Sequence, residues 1–285
     1  MGRRTATRRR RPWPIPALCP TRPGQAAPPP DRDPDVSEAH IDAVARRLIT
    51  GWRTGQRQPL SGLALPDTAA AYAVQRQVSE ALGWFAGTRP TAWKLGGAPG
   101  GLISAAAVPA AAIHASGWCV PPAYVTALGI EGELVIRLGR DLSDTPDLAE
   151  IRAAIDAWMP AIELCDTRLQ DGTSADPLLR LADQQLNRAL IFGKPMQLTE
   201  LPDWSRQTAT LRVDGQELLR STGSHPFVDP LSSLPWLARH AATQGTPLRA
   251  GDLIATGSWT GIHWATTGQA ITFSLGRFGE VALNA

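Results

Sequence analysis

Three glutamates carry the chemistry most worth explaining in this sequence. Glu131 and Glu133 sit in Gly129-Ile130-Glu131-Gly132-Glu133-Leu134-Val135-Ile136-Arg137-Leu138, and Glu163 sits in Pro160-Ala161-Ile162-Glu163-Leu164-Cys165-Asp166. Both segments have the residue pattern of strands. Ile130, Leu134, Ile136 and Leu138 alternate onto one face, so Glu131 and Glu133 share the other, roughly 6.5–7 Å apart at about 3.3 Å rise per residue. Like charges held that close repel, and burying either costs several kcal/mol unless something positive compensates. A hard divalent cation, bound by carboxylate oxygens and keeping waters for a substrate to displace, answers both problems. Alternating glutamates also mark a solvated outer face. Glu163 argues against that reading, because its surroundings are apolar enough to be core.

Lys94 stands out by its residue type. Of 28 basic residues only Lys94 and Lys194 are lysine, so arginine serves wherever a positive charge alone suffices. Lys94 lies in Ala92-Trp93-Lys94-Leu95-Gly96, on a short apolar strand, where a compact ammonium can do what a guanidinium cannot. Snorkelling to the surface is the plainer alternative. Lys194, in Phe192-Gly193-Lys194-Pro195, reads as a loop residue. His114, His225, His240 and His263 share no spacing that makes a second metal site or a hydrolytic triad. His225 suits a capping or core role better than a substrate contact. Asp166 falls off the Glu163 face and is placed to pair with Arg168. Ser258 is not in a Gly-x-Ser-x-Gly context, which leaves a serine nucleophile without support.

The elements that position these residues follow from periodicity and punctuation. Ser37 can cap a first helix carrying Ile41, Val44, Ala45, Leu48, Ile49 and Trp52. Asp67 can cap a second with Ala71, Val74, Val78 and Leu82 on one stripe. From Thr91 the pattern turns to short strands broken by Gly and Pro: Trp93 to Leu95, Ile130 to Leu138, Ala161 to Cys165, and a hairpin Thr208 to Leu219 turning at Asp214-Gly215. Asp147 precedes a helix holding Leu148, Ile151, Ile155 and Trp158. Asp176-Pro177 opens a helix through Leu186, and Asp229-Pro230 opens one that stops at Gly245. Glycine-linked strands follow, from Leu248 to Ser258 and from Gly268 to Phe273. Strands outnumber helices and do not alternate with them regularly, which makes the class α+β with a β-rich core.

The chain's 285 residues suffice for a substantial core. Its net charge of +2 hides an asymmetry, since residues 1–36 hold eight arginines against three aspartates, leaving the rest near −3. Residues 37–285 thus offer no basic face for nucleic acid. Residues 1–36 read as a disordered Arg/Pro-rich extension without a folded role, or as the product of a start codon placed too early. They lack the apolar stretch of a secretory signal, and their prolines oppose the amphipathic helix of a transit peptide. Residues 37–285 read as one domain, helical over 37–90 and β-rich over 91–285. Cys19, Cys119 and Cys165 are odd in number and without metal-type spacing, which fits a reducing compartment. No stretch approaches a membrane span. The expected location is the cytoplasm.

Trp93-Lys94-Leu95-Gly96, then Gly129 to Leu134 continued into Leu138-Gly139-Arg140-Asp141-Leu142, Pro160 to Arg168, and Leu248 to Ser258 occur in the order found in the 2-keto-4-pentenoate hydratase family, which this sequence resembles. That family is a branch of the fumarylacetoacetate hydrolase superfamily. The resemblance spans roughly residues 38 to 285, and its most specific piece is Glu-x-Glu running into Gly-Arg-Asp-Leu. It implies a mixed β-roll core with an N-terminal helical layer, and a Mg2+ or Mn2+ ion on Glu131, Glu133 and Glu163. It further implies Lys94 at the substrate's keto-acid end, with Thr256, Gly257 and Ser258 lining the pocket. Family members hydrate 2-hydroxypenta-2,4-dienoate to 4-hydroxy-2-oxopentanoate in the breakdown of aromatic compounds; close relatives decarboxylate 4-oxalocrotonate or hydrate a related diacid. Homo-oligomers are implied too, as is association with a neighbouring pathway enzyme. One departure stands out. The family's usual acid after the lysine motif is missing, because Gly97 to Val120 contains no Asp or Glu. Either His114 or water substitutes as the acid/base, or the reaction differs, with decarboxylation or a non-catalytic partner-binding role as the other readings.

Overall fold

The computed structural model describes residues 34–285. The extension expected over residues 1–36 lies outside them, except that residues 34–36 form the start of helix α1 (Pro34–Thr54). Ser37 is therefore inside that helix rather than at its cap. Helix α2 (Thr68–Ala81) begins as expected at Asp67, whose carboxylate accepts from Ala70 N at 2.9 Å. The apolar stripes meet: Val44, Ala45 and Leu48 of α1 pack with Ala71, Val74 and Val78 of α2 in a cluster that also takes in Leu169, Leu179 and Leu181. This is the helical layer.

The strands form two sheets. The larger holds β1 (Ala92–Gly96), β2 (Ser104–Ala107), β3 (Ile113–Ala115), β5 (Leu128–Leu138), β6 (Ile155–Cys165), β7 (Asn187–Phe192) and β10 (Leu253–Ser258) in the order β2-β1-β10-β5-β6-β7-β3, with β11 (His263–Ala265) pairing onto β5. The smaller holds β4 (Trp118–Cys119), β8 (Thr208–Val213), β9 (Gln216–Thr222), β12 (Ala270–Leu275) and β13 (Glu280–Asn284) in the order β4-β13-β12-β8-β9. Parallel pairs (β1 with β10, β3 with β7) sit among antiparallel ones, so the sheet is mixed and the class α+β. Gly132 sets the contact between the sheets. A Cβ there would stand 2.2 Å from the Phe273 ring of β12, so glycine lets that ring lie on β5. The even-numbered side of β5 thereby joins the apolar core, and the odd-numbered side is left to Glu131 and Glu133.

Three helix expectations are corrected. The helix after Asp147, α3 (Leu148–Ala154), stops before Ile155 and Trp158, which open β6. Pairing with β5 from Leu138↔Ile155 to Gly129↔Cys165 outweighs the helical spacing of those two apolar residues. The helix opened by Asp176-Pro177, α4 (Pro177–Ala182), ends before Asp183 rather than at Leu186, and Gln184, Gln185 and Leu186 turn left-handed at φ 54°, 52° and 67°. Asp229 makes only a turn, accepting from Leu231 N, and α5 (Leu234–Thr243) starts later. The hairpin at Asp214-Gly215 forms as expected, joining β8 to β9. No helix among the described residues is long and apolar enough to cross a membrane.

Candidate metal centre

The register of β5 against β6 does the assembling. Glu131 lies directly opposite Glu163, and Glu133 opposite Ala161, so all three carboxylates leave the same face. Lys94 is in the row Lys94↔Ala255↔Val135 across β1, β10 and β5, which puts its side chain on that face too. Its Nζ lies 3.5 Å from Glu163 Oε2 and 3.5 Å from the Gln185 carbonyl. Lys94 is 8% exposed and does not snorkel out.

Glu133 and Glu163 are fully buried, and each keeps an oxygen without a hydrogen-bond partner. Glu133 Oε2 accepts from Gly257 N at 3.0 Å while Oε1 has no donor. Glu163 Oε1 accepts from Asn187 Nδ2 at 2.9 Å while Oε2 has no hydrogen bond and faces the ammonium of Lys94 at 3.5 Å. Burial pushes the Glu131 carboxyl up to about 7, with Lys94 pulling it down and Glu163 adding to the rise. Burial, then the charge of Glu163, also raises Glu133. Burial works to lower Lys94, but Glu163 and Glu131 outweigh it and the ammonium is held more firmly protonated than usual. Two orphaned buried oxygens in a cluster of like charges form a donor set suited to a divalent cation.

Oxygens of Glu131 and Glu163 and the sulfur of Cys165 all lie within 4.8 Å of one another. Glu133 falls outside that tight group, drawn aside by Gly257. The glycine is required there: its φ is 120°, and a Cβ would stand 3.3 Å from His225 Nε2. Of the three residues expected to line a pocket, Gly257 alone hydrogen-bonds a carboxylate of the cluster. The Thr256 hydroxyl donates to Leu134 O at 2.9 Å inside the sheet. Ser258 Oγ accepts from Gly261 N at 2.9 Å and shapes the turn that follows.

The structure does not bring His114 to the carboxylates. β3 is three strands from β5, and His114 belongs to the row His114↔Ile191↔Ile162↔Gly132, whose side chains leave the opposite face from Glu163. Its ring stacks on Trp118 with centroids 3.6 Å apart, its Nε2 is buried without a partner, and burial, then Arg188, lowers its pKa. His225 is a core residue as expected, buried with Nε2 3.1 Å from Thr256 O.

Asp166 does not pair with Arg168. The strand ends at Cys165, and the Asp166 carboxylate instead accepts from Thr126 N, Thr126 Oγ1 and Ala127 N, anchoring the chain that enters β5. Arg168 pairs with Asp183 at 2.5 Å, both buried.

Three residues at the site went unread in the sequence. Cys165 follows Glu163 by two, and the period of a strand places it on the same face. Asn187 and Gln185 give no signal, since helical spacing through Leu186 hides Gln185 and nothing in the sequence brings Asn187 to Glu163. Gln185 lends Lys94 its carbonyl from a left-handed conformation, and its side-chain nitrogen contacts Ser104 Oγ. Three consecutive non-glycine residues with positive φ carry a conformational cost that surrounding structure must offset, a condition met mostly at functional sites.

Residues 100–284 match the family model for the fumarylacetoacetate (FAA) hydrolase C-terminal region. The 2-keto-4-pentenoate hydratase of Paraburkholderia phymatum is 30% identical over 232 residues, covering 76% of this chain and 87% of the relative. 2-Keto-4-pentenoate hydratase 1 of Dechloromonas aromatica is 26% identical over 241 residues, covering 77% and 86%. Among solved structures, the 4-oxalocrotonate decarboxylase from Pseudomonas putida G7, complexed with magnesium and adipate, matches with a TM-score of 0.74 at 22% identity over 87% of this chain and 97% of that one. At that identity the likeness speaks for the fold.

Proposed function

The chain belongs to the fumarylacetoacetate hydrolase C-terminal family, and we propose that it is a metal-dependent hydro-lyase of the 2-keto-4-pentenoate hydratase type, adding water to a short unsaturated 2-keto or 2-hydroxy-dienoic acid in aromatic catabolism. One observation carries the reading: three buried carboxylates share one sheet face, two of their oxygens are orphaned, and Lys94 alone among the described residues forms an ion pair with them.

Glu131, Glu133 and Glu163 would hold a Mg2+ or Mn2+ ion, with the unpartnered oxygens of Glu133 and Glu163 as donors. When bound, such an ion supplies Lewis acidity toward the oxygens of a 2-oxo carboxylate. Lys94, held protonated by its acidic neighbours, is a hydrogen-bond donor and fixed positive charge for the substrate's keto-acid end rather than a base. Asn187 and Gly257 orient the carboxylates of Glu163 and Glu133, and Gln185 holds the ammonium in place. Burial of all four charged groups keeps bulk water from screening them. The same reading has the chain act in the cytoplasm as a homo-oligomer, beside a neighbouring pathway enzyme.

Decarboxylation of a 4-oxalocrotonate-like diacid has one observation in its favour. Gly97 to Val120 offers no carboxylate and His114 is turned away, so no side chain of that segment stands ready to activate water. The test offers both substrates with Mg2+ or Mn2+. We expect hydration of 2-hydroxypenta-2,4-dienoate that chelator abolishes. Carbon dioxide release from the diacid without hydration assigns the chain to decarboxylation. Equal, negligible metal uptake by wild type, Glu131→Ala and Glu163→Ala points to a non-catalytic binding subunit.

A further inference from the structure

We propose that Cys165 is a fourth ligand residue at this centre, and that its sulfur biases the site toward softer divalent ions, such as Fe2+, Co2+ and Zn2+, over Mg2+. The inference rests on the reading of the carboxylates as an ion site and adds a donor that carboxylate chemistry alone does not supply. Cys165 is two residues beyond Glu163 on β6, so its side chain leaves the same face. Its sulfur and oxygens of Glu131 and Glu163 lie within 4.8 Å of one another. Donors at about 2.1–2.3 Å from a common ion in tetrahedral array stand roughly 3.4–3.7 Å apart, so closure of up to about 1 Å, within the reach of side-chain rotation, gathers all three.

The space for this is built into the facing strand. Cys165 pairs across the ladder with Gly129, where a Cβ would stand 3.0 Å from the Cys165 Cβ. A side chain at position 129 would press on Cys165 and on the Trp264 ring alike, and glycine leaves both in place. The second pointer to a ligand is Glu163 itself, a fully buried member of the same cluster whose Oε2 has no hydrogen bond. Cys165 is itself buried with no disulfide, which shields it from solvent oxidants. Hard Mg2+ gains little from sulfur, whereas thiolate is a preferred ligand of later and softer ions. On loading, the Sγ–H bond breaks, the proton passes to solvent, and the sulfur electron pair forms the bond to the ion.

The experiment titrates metal-free, full-length protein with Co2+ and follows absorption. The expected result is visible ligand-field bands accompanied by a near-ultraviolet sulfur-to-cobalt charge-transfer band. That band persists when Cys19 and Cys119 are replaced by serine and disappears in Cys165→Ser, whose preference for Co2+ over Mg2+ falls roughly tenfold. Ligand-field bands that vanish in Glu163→Gln, with no charge-transfer band in wild type, would overturn the role of Cys165 and leave the carboxylate ion site standing. No Co2+ uptake by wild type beyond that of Glu163→Gln would overturn both. The wild-type spectrum decides the matter even if a cysteine variant fails to fold.

Discussion

Lys94 Nζ sits 3.5 Å from Glu163 Oε2, inside a face that holds three carboxylates and, among the described residues, no other cation paired to them. The lysine reaches there from β1, two strands from Glu131 in the sheet, because β10 separates β1 from β5 and the row through Ala255 and Val135 keeps all these side chains on one side. Lys94→Met keeps the stem and removes the charge. Its kcat is expected to fall about 10²–10⁴-fold. Metal affinity should hold or tighten, because an ammonium and a divalent cation compete for the same carboxylates. Lys94→Arg should not restore activity, since a planar guanidinium does not fit a site built for a point charge. Steady-state rates beside calorimetric metal binding separate this outcome from simple misfolding, which would lower both.

Metal should also stabilise the fold. An ion that binds only the native state adds about 2.7 kcal/mol at a concentration 100 times its Kd. For a domain of this size that amounts to a rise in Tm of about 5–10 °C. Thermal scans of wild type with Mn2+ against chelator should show it, and Glu163→Gln should not. Equal shifts in the two proteins would place the stabilising ion somewhere other than at this cluster.

A different buried ion pair holds the chain that leaves the site. Arg168 and Asp183 meet at 2.5 Å with both side chains almost fully buried, and Asp183 also accepts from Arg168 N and Thr167 Oγ1. Removing one charge strands the other. Asp183→Asn should cost about 3–5 kcal/mol, a drop in Tm on the order of 10 °C. Denaturant unfolding checks the loss. The folded fraction of the variant should keep its metal uptake, because the pair does not itself pair with the carboxylate cluster, but should lose activity, because the turn it braces lends Lys94 the Gln185 carbonyl.

What could be read from the sequence followed from period. Alternation along β5 placed Glu131 and Glu133 on one face, and the apolar context of Glu163 marked it as buried; the ladder then set Glu163 opposite Glu131, which no single strand can reveal. Ile155 and Trp158 misled because one segment satisfied helical spacing and strand pairing together, and long-range pairing decided. Gln184 to Leu186 had no readable signal, since left-handed glutamines and leucine are imposed by the surrounding fold rather than chosen locally. Asp166 and Arg168 are close enough in sequence to suggest each other, yet the turn after β6 sends their side chains to Thr126 and Asp183. For His114 the absence of an acid between Gly97 and Val120 says nothing of which face β3 presents, and the ladder turns that face away from Glu163.

His225 provides the test of pH dependence. It is 3% exposed, its Nε2 meets Thr256 O at 3.1 Å, and its ring backs the glycine whose N–H holds Glu133. Burial pulls its pKa from 6.5 down to about 4, only partly offset by the bond to Thr256. Above pH 6.5 the ring is neutral folded and unfolded, and it imposes no penalty. As pH falls from 6.5 toward 4 the unfolded chain takes up a proton that the native ring does not, so stability declines; below 4 the loss is complete, on the order of 3 kcal/mol. His225→Gln can keep a donor toward Thr256 O and has nothing to titrate. Urea unfolding of both proteins from pH 7.5 to 4 should therefore give curves that converge as the pH falls, with wild type the more pH-dependent. Every other titrating group is common to both, so parallel curves would mean that the native fold admits a charged ring at 225 and that the packing behind Gly257 is looser than described.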